Sequence, residues 1–267
     1  MGSRVTSADG TKIAYTREGT GPPVVLVGGA LDDGSENAVL TPALASDFTV
    51  FNYARRGRAA SGDAQPYRVS RELDDLSAIL DAAGGAAHLF GASTGGALVL
   101  EAAAAGLPVT RLVVYDLPYS VAPAAVERWR AYRAELDRAL ARGRSDDAVA
   151  AFMRLGGAGD DDIRSARAAP FWQELLSLAP TLAYDAEILG NGRPPSDRLA
   201  GIGQETMVLT RSTPDPYMPA LPVGFFAAAA EEVASALPHA ARCTIDAPGH
   251  AVDVEAVAPC VRAFLAG

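Results

Sequence analysis

Ser93 offers the most chemistry in this chain. It sits in Gly91-Ala92-Ser93-Thr94-Gly95, the G-x-S-x-G spacing of a serine presented at a sharp strand-to-helix bend. A serine hydroxyl is a poor nucleophile until the fold exposes it and a base takes its proton. The two glycines remove side chains that would collide where strand turns directly into helix, and the helix behind aims its N-terminus at the reaction. In a chain with 26 glycines the pentapeptide alone says little. The apolar stretch before it and the Ala-rich stretch after it give it weight.

A serine of this kind needs a base. His250, in Pro248-Gly249-His250, follows the last strand-like segment, so chain order suits it. His88 lies on the strand entering the bend and cannot fold back onto Ser93, and His239 sits in a polar connection. An orienting carboxylate in the order serine, acid, histidine is offered twice. Asp116 ends the apolar segment after the bend, and Asp215 lies between two prolines beyond the segment 205–210. Asp246 and Asp253, near His250 in sequence, read as solvated. A developing oxyanion needs fixed donors. The backbone N–H of Thr94 is the first candidate and that of Ala30 the second, with Gly28-Gly29 letting the backbone approach closely.

Other features weigh less. Arg55, Arg56 and Arg58 could form a cationic loop for an acidic substrate, but read better as partners of carboxylates that tie a loop down. Trp129, Phe152, Met153, Phe171 and Trp172 could line an apolar pocket or simply form a local core. Gly91-x-Ser93-x-x-Gly96 is a poor dinucleotide fingerprint, because serine replaces the central glycine. No phosphate-binding G-x-x-x-x-G-K-[ST] occurs.

The elements that must position these groups alternate. Strands are predicted at 12–18, 24–27, 48–53, before Ser93, 111–115, 205–210 and 242–245. Helices are predicted at 36–46, from an N-cap at Ser70 to Ala83, after Ser93, at 223–236 and at 252–265. Alternation of this kind builds a mostly parallel sheet covered on both faces. Between about Val121 and Arg198 the pattern is helical only, with segments at 124–142, 145–155 and 171–189. Residues 1–118 and 200–267 therefore read as one core, and 119–199 as a helical cap over its site, since strand C-termini carry the sites of such sheets.

Composition narrows the function classes. With 267 residues and 49% hydrophobic content, one large core is expected. The net charge of −9 argues against nucleic acid as a partner. The first residues form no secretory leader and no segment spans a bilayer, so a cytoplasmic protein is expected. Cys243 and Cys260 read as buried thiols. Three histidines and no Cys/His cluster leave no expected metal or cofactor.

The chain resembles the α/β-hydrolase superfamily over nearly its full length. The likeness rests on residues 7–15, Val-Val-Leu-Val-Gly-Gly-Ala at 24–30, Tyr-Ala-Arg-Arg-Gly-Arg at 53–58, Gly-Ala-Ser-Thr-Gly-Gly at 91–96 and Pro-Gly-His at 248–250. It implies an α/β fold with an eight-stranded, mostly parallel sheet, a helical cap, and a serine, histidine and acid triad. Ser93 would be nucleophile, His250 base, and Ala30 and Thr94 oxyanion donors. Gly28-Gly29 stands where many members have His-Gly, as in an actinobacterial-looking subgroup. That subgroup commonly carries a glutamate where Asp116 stands, which favours Asp116 over Asp215. Ala92 replaces the usual histidine or tyrosine and is expected to open space beside Ser93. Ala54 replaces the aspartate that braces the following loop.

Two enzyme classes and one non-enzyme class follow. The first is a serine hydrolase acting on an ester or acyl group of a small, largely apolar molecule. The second is a lyase of natural-product tailoring, eliminating acetate from an acetylated tetronate-type intermediate on the same residues. The third is a ligand-binding protein with a retired pocket, against which the intact Ser93 and His250 count.

Overall fold

The computed structural model describes residues 2–216, 218–219 and 221–267. An eight-stranded sheet forms the centre, in the order β1-β2-β4-β3-β5-β6-β7-β8. Its strands are β1 (Ser3–Thr6), β2 (Lys12–Glu18), β3 (Pro23–Val27), β4 (Thr49–Tyr53), β5 (Ala87–Ala92), β6 (Val109–Tyr115), β7 (Glu205–Arg211) and β8 (Ala240–Ile245). β1 and β2 are antiparallel to their neighbours; every pair from β4 to β8 is parallel. The α/β fold and the mostly parallel sheet agree with expectation.

The unbroken apolar run of β3 is buried on both sides. Val25 and Val27 pack on one face, Val24 and Leu26 on the other, as the two-residue side-chain period requires. Helices α3 (Val69–Ala82) and α4 (Thr94–Ala104) cover the first face, and α2 (Thr41–Leu44) and α12 (Val254–Ala266) the second.

The expected helix at 36–46 is instead two short pieces, α1 (Ser35–Ala38) and α2. Pro42 has no N–H for the carbonyl one turn back, so the helix cannot run through. α3 starts one residue before Ser70, and Arg68, not Ser70, stands at its cap position without a side-chain cap bond.

Between β6 and β7 the chain is helical: α5 (Pro123–Ala141), α6 (Ser145–Gly156), α7 (Asp160–Arg167), α8 (Trp172–Leu178), α9 (Leu182–Leu189) and α10 (Ser196–Leu199). The segment predicted at 171–189 breaks at Pro180, where a 3-10 turn separates α8 from α9. α11 (Phe225–Ala236) joins β7 to β8. Cys243 and Cys260 are half-buried rather than buried, because β8 is an edge strand; their sulfurs are 3.7 Å apart. Among the described residues no helix is long and apolar enough to cross a membrane.

Candidate active site

Parallel strands deliver their C-terminal ends to one edge of the sheet, and the chemistry collects there. Ser93 leaves β5 with φ 53° and ψ −124°, a conformation costly for a residue with a side chain. Its N–H donates to the Tyr115 carbonyl at 2.8 Å, which ties the bend to the end of β6. A Cβ on Gly95 would overlap the carbonyl oxygens of Val27 and Gly28, so only glycine lets α4 start this close to β3. On the other side, a Cβ on Gly29 would sit 3.0 Å from the Ser93 Cβ. The loop after β3 is thus pressed against the serine.

Asp116 follows β6, also at positive φ (46°), and is buried. Its Oδ2 lies 3.2 Å from His250 Nδ1 and accepts from Arg211 Nε at 2.8 Å; its Oδ1 accepts from the Thr210 hydroxyl at 2.9 Å. Asp215 approaches the same histidine differently. Its Oδ2 accepts the His250 backbone N–H at 2.6 Å. Of the two expected alternatives, Asp116 meets the ring and Asp215 holds the main chain. An Nδ1–H given to Asp116 leaves Nε2 free to accept a proton. The ring stacks on Phe226 from α11, with centroids 4.9 Å apart and planes 16° from parallel.

Ser93 and His250 face one cavity of about 220 Å³, together with Gly29, Ala30 and Thr94. As the first residue of α4, Thr94 offers an N–H that the helix leaves without an internal partner. The helical insertion supplies much of the opposite wall, including Trp129, Tyr132 and Phe152. Of the other aromatic candidates, Trp172 packs in the core, and Phe171 is 49% exposed. Ala92 does not open the cavity; it packs in the core facing α12. His88 bonds the Thr110 hydroxyl away from the site, and Asp253, half-buried, caps α12.

The arginines after β4 are buried and paired, as the structural reading expected. Arg55 grips Glu72 with two bonds of 2.9 and 2.6 Å, and Arg56 grips Asp75 with two of 2.7 Å. Arg58 binds both oxygens of Asp185 at 2.9 and 2.8 Å. These cations are spent on carboxylates and do not await an acidic substrate.

Sequence reasoning missed four contributors. Asp185 is a lone acid on an apolar face with Leu182, Ala186 and Leu189, a spacing that could have marked it. Arg211 and Thr210 close β7 after its apolar Met207-Val208-Leu209. Glu36 carried no signal inside its segment. Its side chain is half-buried and lines the cavity, and desolvation there, reinforced by Asp32, raises its carboxyl above the ordinary 4.5 despite the opposing influence of His250.

A sequence model described as the alpha/beta hydrolase family matches residues 24–263. The chain belongs to the alpha/beta hydrolase family. This family member superposes on the crystal structure of an alpha/beta hydrolase from Sphaerobacter thermophilus with a TM-score of 0.85 and 42% identity, over 98% of this chain and 100% of that one. A hydrolase from Pseudomonas aeruginosa gives 0.72 at 22% identity, over 100% and 98% of the two chains. An esterase from Rhodococcus gives 0.72 at 20% identity, again over 100% and 98%. A search of curated protein sequences returns no match for this hydrolase-family chain.

Proposed function

We propose that the protein hydrolyses a carboxylic ester of a small, largely apolar molecule. Ser93 Oγ attacks the ester carbonyl while His250 Nε2 takes its proton. Asp116 holds the imidazole in the required tautomer and faces the imidazolium that forms. The N–H groups of Thr94 and Ala30 receive the developing oxyanion. His250 then returns the proton to the leaving alcohol, and water, activated the same way, frees the acid. The carrying observation is the common cavity of Ser93 and His250, with Asp116 bonded to the far ring nitrogen. Its volume of about 220 Å³ is below the roughly 300–1,000 Å³ typical of drug-sized ligands, which favours a short acyl or alcohol group.

A second reading, elimination of acetate from an acetylated tetronate-type substrate, draws on Glu36, which lines the same cavity as Ser93 and His250. In that reading His250 takes the carbon-bound proton while the C–O bond breaks and acetate departs.

A fluorophosphonate probe should label the wild type and not Ser93→Ala, with hydrolysis of p-nitrophenyl butyrate falling by at least about 10⁴-fold in the variant. Unlabelled, well-folded wild type would refute an activated serine. Product analysis with a β-acetoxy carbonyl compound, whose C–H beside the carbonyl is acidic enough for an imidazole to take, separates the two readings: an alcohol marks hydrolysis, an alkene elimination.

A further inference from the structure

Asp185 belongs to the helical insertion, yet its carboxylate is buried at the meeting point of three core segments. Oδ1 accepts from the Thr94 hydroxyl at 2.9 Å, from Arg55 Nη1 at 2.7 Å and from Arg58 Nη2 at 2.9 Å; Oδ2 accepts from Arg58 Nη2 at 2.8 Å. Burial alone would raise its pKa, but Arg58 and Arg55 outweigh that and hold it below the ordinary carboxylate value. Both arginines also reach the loop after β3. Arg58 Nη1 donates to the Gly29 carbonyl, and Arg55 Nη1 to the Gly28 carbonyl at 3.3 Å.

One peptide unit then becomes decisive. The Gly29 carbonyl and the Ala30 N–H share a trans peptide and point in opposite directions. Arg58, by pulling the carbonyl, turns the N–H away from itself. Ala30, Gly29 and Ser93 line the same cavity. The Thr94 hydroxyl, bonded to the same carboxylate, fixes the residue that offers the other N–H.

We propose that Asp185 is a positioning residue that sets both backbone donors of the oxyanion site, through Thr94 on one arm and through Arg58 and Gly29 on the other. This rests on the reading of Thr94 and Ala30 given above. It goes further, because it makes seating of the inserted helix a condition for transition-state stabilisation and not only for substrate fit. A carboxylate that merely neutralised two arginines would affect stability and leave the bound oxyanion indifferent.

The test compares full-length wild type, Asp185→Asn, Thr94→Val and Ser93→Ala. Readouts are kcat and KM for p-nitrophenyl butyrate, inhibition by butylboronic acid, which forms a tetrahedral adduct on an activated serine, and Tm. Losing a well-placed oxyanion donor costs about 10²–10³-fold in kcat. Asp185→Asn is expected to lower kcat by about 10²-fold and boronate affinity by a similar factor, with KM within about threefold. Thr94→Val, which cuts one arm and no charge, should lower both by about tenfold. A folded Asp185→Asn with wild-type kcat and boronate affinity overturns the proposal even if its Tm falls. If Asp185→Asn does not fold, Thr94→Val decides, and unchanged kcat and boronate affinity overturn it. Undiminished hydrolysis by Ser93→Ala removes the parent reading, and this one with it.

Discussion

Two aspartates reach His250 by different routes, and their roles should separate cleanly. Asp116 holds the ring nitrogen, whereas Asp215 holds the main-chain N–H. An asparagine at 116 offers the ring an amide that can stabilise the wrong tautomer, so Asp116→Asn should lower kcat by about 10²–10⁴-fold. An asparagine at 215 still has a carbonyl oxygen for the backbone, so Asp215→Asn should stay within about tenfold of wild type. Steady-state kinetics on the two purified variants checks this, and the reverse ranking would exchange their roles. Arg211 makes the ranking sharper still. It bonds Asp116 at 2.8 Å and lies 3.5 Å from Asp215, so both acids share one cation but only one meets the imidazole.

The strand, bend and helix that carry Ser93 work as one element. The carbonyls that crowd Gly95 are main-chain atoms of β3 and its loop and cannot rotate aside. Gly95→Ala should therefore cost about 3 kcal/mol or more, with little soluble protein recovered. Denaturant unfolding measures it, and a wild-type midpoint would contradict the packing described. This element was legible in the amino-acid order because short-range rules govern it: an apolar run, two glycines and a helix former. So were the buried strands, whose unbroken apolar runs have one solution in a parallel sheet. β1 was not legible, because Ser3–Thr6 is a short exposed edge strand with no apolar run. His250 was found by its place in chain order and by setting aside His88 and His239. Asp185 could be marked as a lone acid on an apolar helix face, but its partners could not be read, for a physical reason. Its partners, Arg55, Arg58 and Thr94, come from distant segments brought together only by tertiary packing, and pairing across such distances leaves no periodicity to read. The arginines could be seen to want carboxylates, but which carboxylates is decided by the fold.

Across the whole molecule, buried acids pull stability in opposite directions with pH. Asp185 is depressed by its arginines, so its contribution is present above the ordinary carboxylate range and is lost as pH falls through its folded value. Glu36 has the opposite sign. Desolvation raises its carboxyl above 4.5, so the folded state loses stability as pH climbs from there through the folded value. Glu36→Gln, which mimics the protonated acid, should raise Tm at pH 8 by on the order of 2 °C, and the gain should vanish near pH 4. Thermal melts across that span test it. A variant less stable at pH 8 would mean that the ionised Glu36 has a partner worth more than its desolvation.

The position of Asp185 also limits what protein engineers can exchange. A helical insertion borrowed from a related hydrolase would have to bring an acidic side chain to this spot. Without it, Arg58 would lose the carboxylate it grips and Arg55 would keep only Glu72, an arrangement of a kind that typically costs about 3–5 kcal/mol. Chimeras chosen only for matching junctions should fail at this hidden electrostatic seam, and those that retain the carboxylate should survive.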